Sequence, residues 1–136
     1  MSIAARARDA RYIEGYNGTG STISAYLGVR GSPTAIALPS GVTSPCFGVT
    51  AKDISDTERG DVQYAGVAIA TAAEAWDATA LAAGVRVYVD TAGKMAIWDA
   101  GAGVNQSVFG LALTVSSGDG ALVEILIGAG GIGQGA

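Results

Sequence analysis

A short phrase occurs twice in this chain and limits its fold more than any other feature. Phe47-Gly48-Val49-Thr50 returns as Phe109-Gly110-Leu111-Ala112, and each copy is followed by a Gly-Asp pair and an apolar strand. The first copy runs through Gly60-Asp61 into VQYAGVAIA, the second through Gly118-Asp119 into GALVEILIG. A strand–turn–strand unit needs a partner to bury its apolar face, so two copies half a chain apart predict a small all-β domain with internal pseudo-symmetry.

Strand signals dominate elsewhere too. Residues 22–30, 34–38, 46–51 and 62–71 are short runs rich in β-branched or aromatic side chains, bounded by Gly, Pro, Ser or Asp. At 85–98 the pattern is cleanest. Val85, Val87 and Val89 alternate with Arg86, Tyr88 and Asp90, which gives one apolar and one polar face. Asp90-Thr91-Ala92-Gly93 then supplies a capping carboxylate and a residue free to take positive φ, and KMAIW returns as the partner strand. A second hairpin is predicted from 107–115 and 121–127 around Ser116–Gly120. Thr71 to Ala83 is the one helix-compatible window, through its alanines, Glu74 and Leu81, and one short helix is expected there. Pro33, Pro39 and Pro45 belong to connections, where a missing N–H breaks no ladder.

The predicted fold is therefore a small all-β domain with two pseudo-repeated strand–turn–strand units. It divides into a basic N-terminal arm (1–21), a β domain (22–127) and a flexible Gly-rich tail (128–136). With 136 residues the chain is one domain by length. Gly and Ala make up about a third of it and aromatics 7%, so the core is built from small side chains and gains little area per residue. Association with other subunits is the expected supplement.

Charge is unevenly placed. The net charge is −4, yet the first eleven residues carry Arg6, Arg8 and Arg11 against Asp9, a local +2 on an otherwise acidic chain. Such an arm suits docking on an acidic protein surface, with Tyr12 and Tyr16 beside it; a solvated terminus is the alternative. Three arginines are too few for a nucleic-acid stripe, and the acidic remainder repels phosphate. The arginines in MSIAARARDARY stand where a signal peptide would have its apolar stretch, and the most apolar run, 121–127, is too short to span a bilayer. Synthesis in a cytoplasm is the expectation.

The chemical inventory argues against catalysis. There is no histidine, which removes Ser-His-Asp, Cys-His and His-ligated metal sites together. Cys46, the single cysteine, is expected as a structural thiol. Gly128 to Gly133 spells a dinucleotide fingerprint, but only three residues follow it, and the mechanism needs a helix there. Arg59-Gly60-Asp61 reads as a turn leading into a strand, and Asp53, Asp56 and Glu58 as a solvated loop without calcium-loop spacing. Trp76 and Trp98 are expected to anchor the core or a subunit contact. No catalytic residue, metal or cofactor is predicted.

The run ALPSGVTSPCFGVTAKD…GDVQYAGVAIATAA…LAAGVRVYVDTAGKMAIWDAGAGVNQSVFGLALTVSSGDGALVEILIGAGG resembles the capsid cement, or head decoration, proteins of tailed bacteriophages. The matching positions are Phe47 to Ala51, Gly60 to Ala68, Ala83 to Lys94, Phe109 to Ala112 and Gly118 to Ile127, within roughly residues 35–130. Two features depart from the family pattern: Val85 follows Gly84 without the usual acidic residue, and 71–83 is long and Ala-rich. The resemblance implies a β-barrel or compact β-sandwich that serves as a structural protein on the outer surface of the virion shell, commonly a homotrimer, with the major capsid protein as partner and neither nucleic acid nor membrane. Combined with the charge asymmetry, it makes Arg6, Arg8, Arg11, Tyr12 and Tyr16 the expected capsid contacts. Two other readings remain open: a tail-tube or connector part, and a host-glycan or receptor module using the loops 53–60 and 99–106.

Overall fold

The computed structural model describes residues 10–41, 43–99 and 107–128. Ten strands and one short helix follow one another as β1 (Arg11–Asn17), β2 (Gly28–Ser32), β3 (Ala35–Ala37), β4 (Cys46–Thr50), β5 (Glu58–Ala65), β6 (Val67–Thr71), α1 (Ala78–Ala83), β7 (Arg86–Val89), β8 (Met95–Ile97), β9 (Gly110–Ala112) and β10 (Leu122–Ile127). The first five close into a barrel in the order β1-β3-β2-β4-β5, and the last five form a sheet in the order β6-β10-β9-β7-β8.

These two orders are one pattern used twice. When β1 to β5 are matched with β6 to β10 in sequence, every antiparallel neighbour in the first unit has its counterpart in the second. A parallel pair, Asn17 with Ile36, closes the barrel, and an isolated parallel bridge between Ala72 and Met95 stands at the equivalent place in the second unit. Antiparallel bridges Ile23–Ile54 and Trp76–Ser116 also correspond.

The repeated Phe-Gly phrase lies at the centre of this duplication. Gly48 on β4 faces β5 so closely that a Cβ would lie 2.5 Å from the Gln63 carbonyl oxygen, and Gly110 on β9 meets the Leu126 carbonyl at the same 2.5 Å. Each strand pair needs a residue without a side chain at that point. The Gly-Asp pairs are different: Gly60-Asp61 lies inside β5, paired with Gly15 and Glu14, whereas Gly118-Asp119 belongs to the turn before β10. The expected turn at Arg59-Gly60-Asp61 is thus a strand, because Gly60 lets Ile54 pack against the backbone where a Cβ would come within 2.6 Å.

Other expectations also shift. The run 62–71 is two strands, since Gly66 takes φ +85 and turns the chain from the barrel into the second sheet. Of 22–30 only the end is ladder; Ile23 makes a single bridge, and Tyr26 at φ 66 bends the chain before β2. In the stretch expected as an arm, Arg11–Asn17 forms β1 and runs alongside β5 from Arg11 to Asn17. Residues 1–9 and the tail after Gly128 lie outside the described residues.

The hairpins form as their turn chemistry dictates. Asp90 Oδ1 accepts from the Ala92 and Lys94 amides at 2.9 Å, and Gly93 takes φ +82. The helix α1 is capped by Asp77, whose carboxylate accepts from the Ala80 amide at 2.9 Å, and it ends at Gly84 with φ +99. Pro33 occupies the β2–β3 turn, and Pro39 and Pro45 the connection before β4.

Each unit has its own core. The barrel is filled by Ile23, Val29, Ile36, Ile54 and Val62. A larger cluster under the second sheet joins Trp76, Val85, Val87, Val89, Met95, Phe109, Val123 and Ile125, with Val49 of the barrel packed into it. The units fit closely, because Gly28 on β2 offers no side chain where Val89 presses against it. Asn17, fully buried at the barrel closure, donates to the Ser21 and Ile54 carbonyls at 2.8 Å and accepts from the Thr19 amide and hydroxyl.

Candidate functional site

Because side chains alternate across a strand, the second sheet shows one face to its core and the other outward. Ala68, Ala70, Ala112, Val123 and Ile125 point inward and are buried. The outward set is Val67 and Ile69 on β6, Leu111 on β9 with Leu113 just beyond it, and Leu122, Glu124 and Leu126 on β10. Leu122 is 57% exposed, Ile69 49% and Leu113 37%. An antiparallel sheet with one free face ordinarily presents polar residues there. This one presents leucine, isoleucine and valine around a single carboxylate.

The duplicated fold supplies an internal comparison. By register, Glu14, Tyr16, Arg59 and Asp61 on the barrel take the places of Ile69, Thr71, Leu122 and Glu124 on the second sheet. Glu14, Arg59 and Asp61 are exposed and charged. Identical backbone pairing thus carries a solvated face in one unit and an apolar face in the other, so the apolar face is not a requirement of the fold.

At the seam between β1 and β6 a cavity of about 340 Å³ opens, lined by Ala10, Tyr12, Tyr26, Gln63, Val67, Ile69 and Glu124 among others. Gln63 is buried at its base and donates to the Ala65 and Val67 carbonyls at 2.9 and 3.0 Å, which ties its side chain to the crossing at Gly66. Tyr12 is 52% exposed at the rim. The cavity continues the apolar sheet face toward the start of β1.

The residues expected to touch a capsid are only partly gathered here. Arg6 and Arg8 lie outside the described residues. Arg11 and Tyr12 are exposed on β1, and Tyr12 borders the cavity. Tyr16 sits on the barrel's outward face with the Arg59 guanidinium 5.5 Å above its ring. Composition and charge pointed to the arm but not to the sheet face, although LVEILI and VAIAT carry apolar residues at both alternating positions, a sign of a strand with two apolar faces.

Trp76 is buried, and its indole donates to the Thr114 carbonyl at 2.8 Å, fixing the loop before α1 to the loop after β9. Trp98 is half-buried beneath the Arg86 guanidinium, 5.9 Å from the ring centroid. Burial pushes the half-buried Cys46 thiol up to about 12, with Arg30 opposing the rise, so the sulfur stays protonated and unreactive. Asp53 and Asp56 do not converge on a ligand; each accepts a backbone amide at 2.8 Å, from Ala25 and Gly20, and so braces its loop. Of the two loops suggested for glycan binding, 53–57 is held this way and Glu58 starts β5, while 100–106 lies outside the described residues. Among the described residues no group of three His, Cys, Asp or Glu side chains is placed to hold a metal ion.

Known proteins give the arrangement its context. The fold is similar to that in the crystal structure of the head fiber gp8.5 N base of bacteriophage phi29, with a TM-score of 0.61 at 18% identity over 86% of this chain and 94% of that one. No curated protein matches the sequence. The family model described as phage cement protein matches residues 19–127, which contain both five-stranded units apart from β1. This chain belongs to the phage cement protein family.

Proposed function

We propose that this protein is a non-enzymatic decoration protein on the outer surface of the phage head, where it bridges neighbouring major capsid proteins as a homotrimer. The observation that carries this reading is the outward face of β6, β9 and β10: Ile69 and Leu122 stand exposed where the sister unit has Glu14 and Arg59, and Leu113 is exposed beside them. Exposed apolar patches on a soluble domain mark interaction surfaces. Membership of the cement family makes the phage shell the natural partner, and the likeness to a head-fiber base supports a place on the head. Arg11 is exposed on β1 and Tyr12 borders the cavity that continues this surface, with Arg6 and Arg8 just before them in the sequence and Tyr16 further along β1 as the remaining candidate contacts. Single exposed ion pairs contribute about 0.2–1 kcal/mol each, so attachment gains from several arms and faces acting together on one trimer.

Co-sedimentation with expanded capsids lacking the protein tests the reading. Saturable binding is expected, weakened when Arg6, Arg8 and Arg11 are all replaced by Ala and abolished by Leu122→Asp. No binding by the wild-type protein, or a free species that forms a larger ring, overturns it and favours a tail or connector part.

A further inference from the structure

We propose that the free edge of β6 at Ile69 receives an extended, uncharged segment of the shell protein as an added strand, with an apolar side chain of that segment in the cavity between β6 and the barrel. This rests on the attachment reading and names the contact that the shell protein makes.

The pairing of β6 fixes which way its backbone points. Alternate residues of an antiparallel strand bond to the neighbour on one side, and those between them point to the other. The Ile127 amide donates to the Gly66 carbonyl and the Ala72 amide to the Ala121 carbonyl, so Ala68 and Ala70 between them bond to β10. Opposite Ile69, the Glu124 amide and carbonyl bond away from β6, to the Thr114 hydroxyl and the Leu113 amide at 2.9 and 2.8 Å. Val67, Ile69 and Thr71 therefore turn their backbone groups toward the barrel. There the Val67 carbonyl accepts from the Gln63 side chain at 3.0 Å, and the Thr71 amide donates to the Tyr26 carbonyl at 2.9 Å. Between these two bonds the Ile69 N–H and C=O have no partner among the described residues.

Gln63 and Tyr26, which hold the edge on either side, both line the cavity of about 340 Å³, and Tyr12, Val49, Val67 and Ile69 supply its aromatic and aliphatic walls. A backbone donor and acceptor opening on an apolar hollow suit an added strand, since main-chain bonds hold the strand while alternate side chains enter the pocket. Glu124 also lines the cavity but is already engaged within the fold, so the occupant needs no charge. The sister unit has the same edge with a different side chain on it. Its Tyr16 amide donates to the Pro33 carbonyl at 2.8 Å, as that of Thr71 does to Tyr26, and Glu14 stands where β6 has Ile69. A charge on an edge strand discourages pairing with other chains. β6 carries valine and isoleucine there instead, and the cavity runs on into the apolar face of the attachment reading.

Hydrogen exchange of the wild-type protein, free and on expanded capsids lacking it, tests the proposal, read by mass spectrometry on overlapping fragments that isolate the Ile69 amide. Fast exchange is expected in the free protein, and a slowing of about tenfold or more on the shell. Co-sedimentation of Ile69→Pro gives a second reading, because proline removes the outward N–H and is tolerated at a free edge. It is expected to bind about tenfold more weakly than Ile69→Ala, which trims the side chain but keeps the N–H. Should Ile69→Pro melt far below wild type, the exchange result alone decides. Equal binding by the two folded variants, or unchanged Ile69 exchange on a shell that binds the protein, overturns the added strand and leaves the attachment reading standing. Slow exchange in the free protein also overturns it, because the edge is then filled by the chain itself, or by a second copy where the protection fades on dilution. No binding by the wild-type protein sinks the attachment reading and this proposal with it.

Discussion

Two glycines and one cysteine show how far single positions control this molecule. Gly48 and Gly110 have no room for a methyl group, because the obstacle in each case is a backbone carbonyl of the paired strand, which cannot rotate away. Gly48→Ala and Gly110→Ala are each expected to destabilise the fold by about 1–3 kcal/mol, the range for overpacking, read from urea unfolding. Cys46 reports on the packing at the junction of β4 with the second core. Its thiol ionises near 9.0 when unfolded and near 12 when folded, so above pH 9 the unfolded chain loses a proton that the folded chain keeps. Its contribution to stability is whole below about pH 9 and declines as the pH rises toward 12. Alkylation by iodoacetamide at pH 8 is accordingly expected to be far slower in the native protein than in denaturant.

At the level of strands and turns, the two units solve the same bends with different residues. Tyr26 and Thr57 hold φ values of 66 and 65, and the equivalent bends of the second unit are made by Gly84 and Gly120 at φ 99 and 90. The Thr57 amide donates to the Asn17 carbonyl as the Gly120 amide donates to that of Ala72, which fixes the correspondence. A β-branched residue in the left-handed region is strained by about 1–2 kcal/mol, and part of that relief is lost to the greater freedom of glycine in the unfolded chain. Thr57→Gly is therefore expected to raise stability by about 0.5–1 kcal/mol, visible as a higher urea midpoint. These bends also explain what the sequence hid. The hairpin at 85–98 was legible because Asp90 and Gly93 are the residues such a turn requires, whereas the bends at Tyr26 and Thr57 use residues that carry no turn signal. The Phe-Gly phrase announced a duplication correctly, but the Gly-Asp pair beside it is coincidental, since one copy lies in a strand and the other in a turn. The break at Gly66 was missed because VQYAGVAIA is apolar on both sides of it.

For the molecule as a whole, the division of labour is between a barrel with a charged exterior and a sheet with an apolar one. A core substitution and a surface substitution on the same strand should therefore part company. Ile125→Ala, which empties a fully buried position, is expected to cost about 2–5 kcal/mol. Ile69→Asp or Leu122→Asp is expected to leave the melting temperature within a few degrees of wild type and to remove capsid binding, measured by thermal unfolding and co-sedimentation on the same preparations. Of the candidate surface the sequence singled out Tyr12, which borders the cavity, while the sheet face became visible only when register placed Ile69, Leu113 and Leu122 on one side. The chain passes from barrel to sheet through Gly66 alone, with the Gln63 amide bonded to carbonyls on both sides of it. Tension carried along the backbone out of the sheet therefore enters the barrel along β5, whose antiparallel pairing with β1 runs from Arg11 to Asn17, so that many hydrogen bonds are loaded at once in shear rather than unzipped singly.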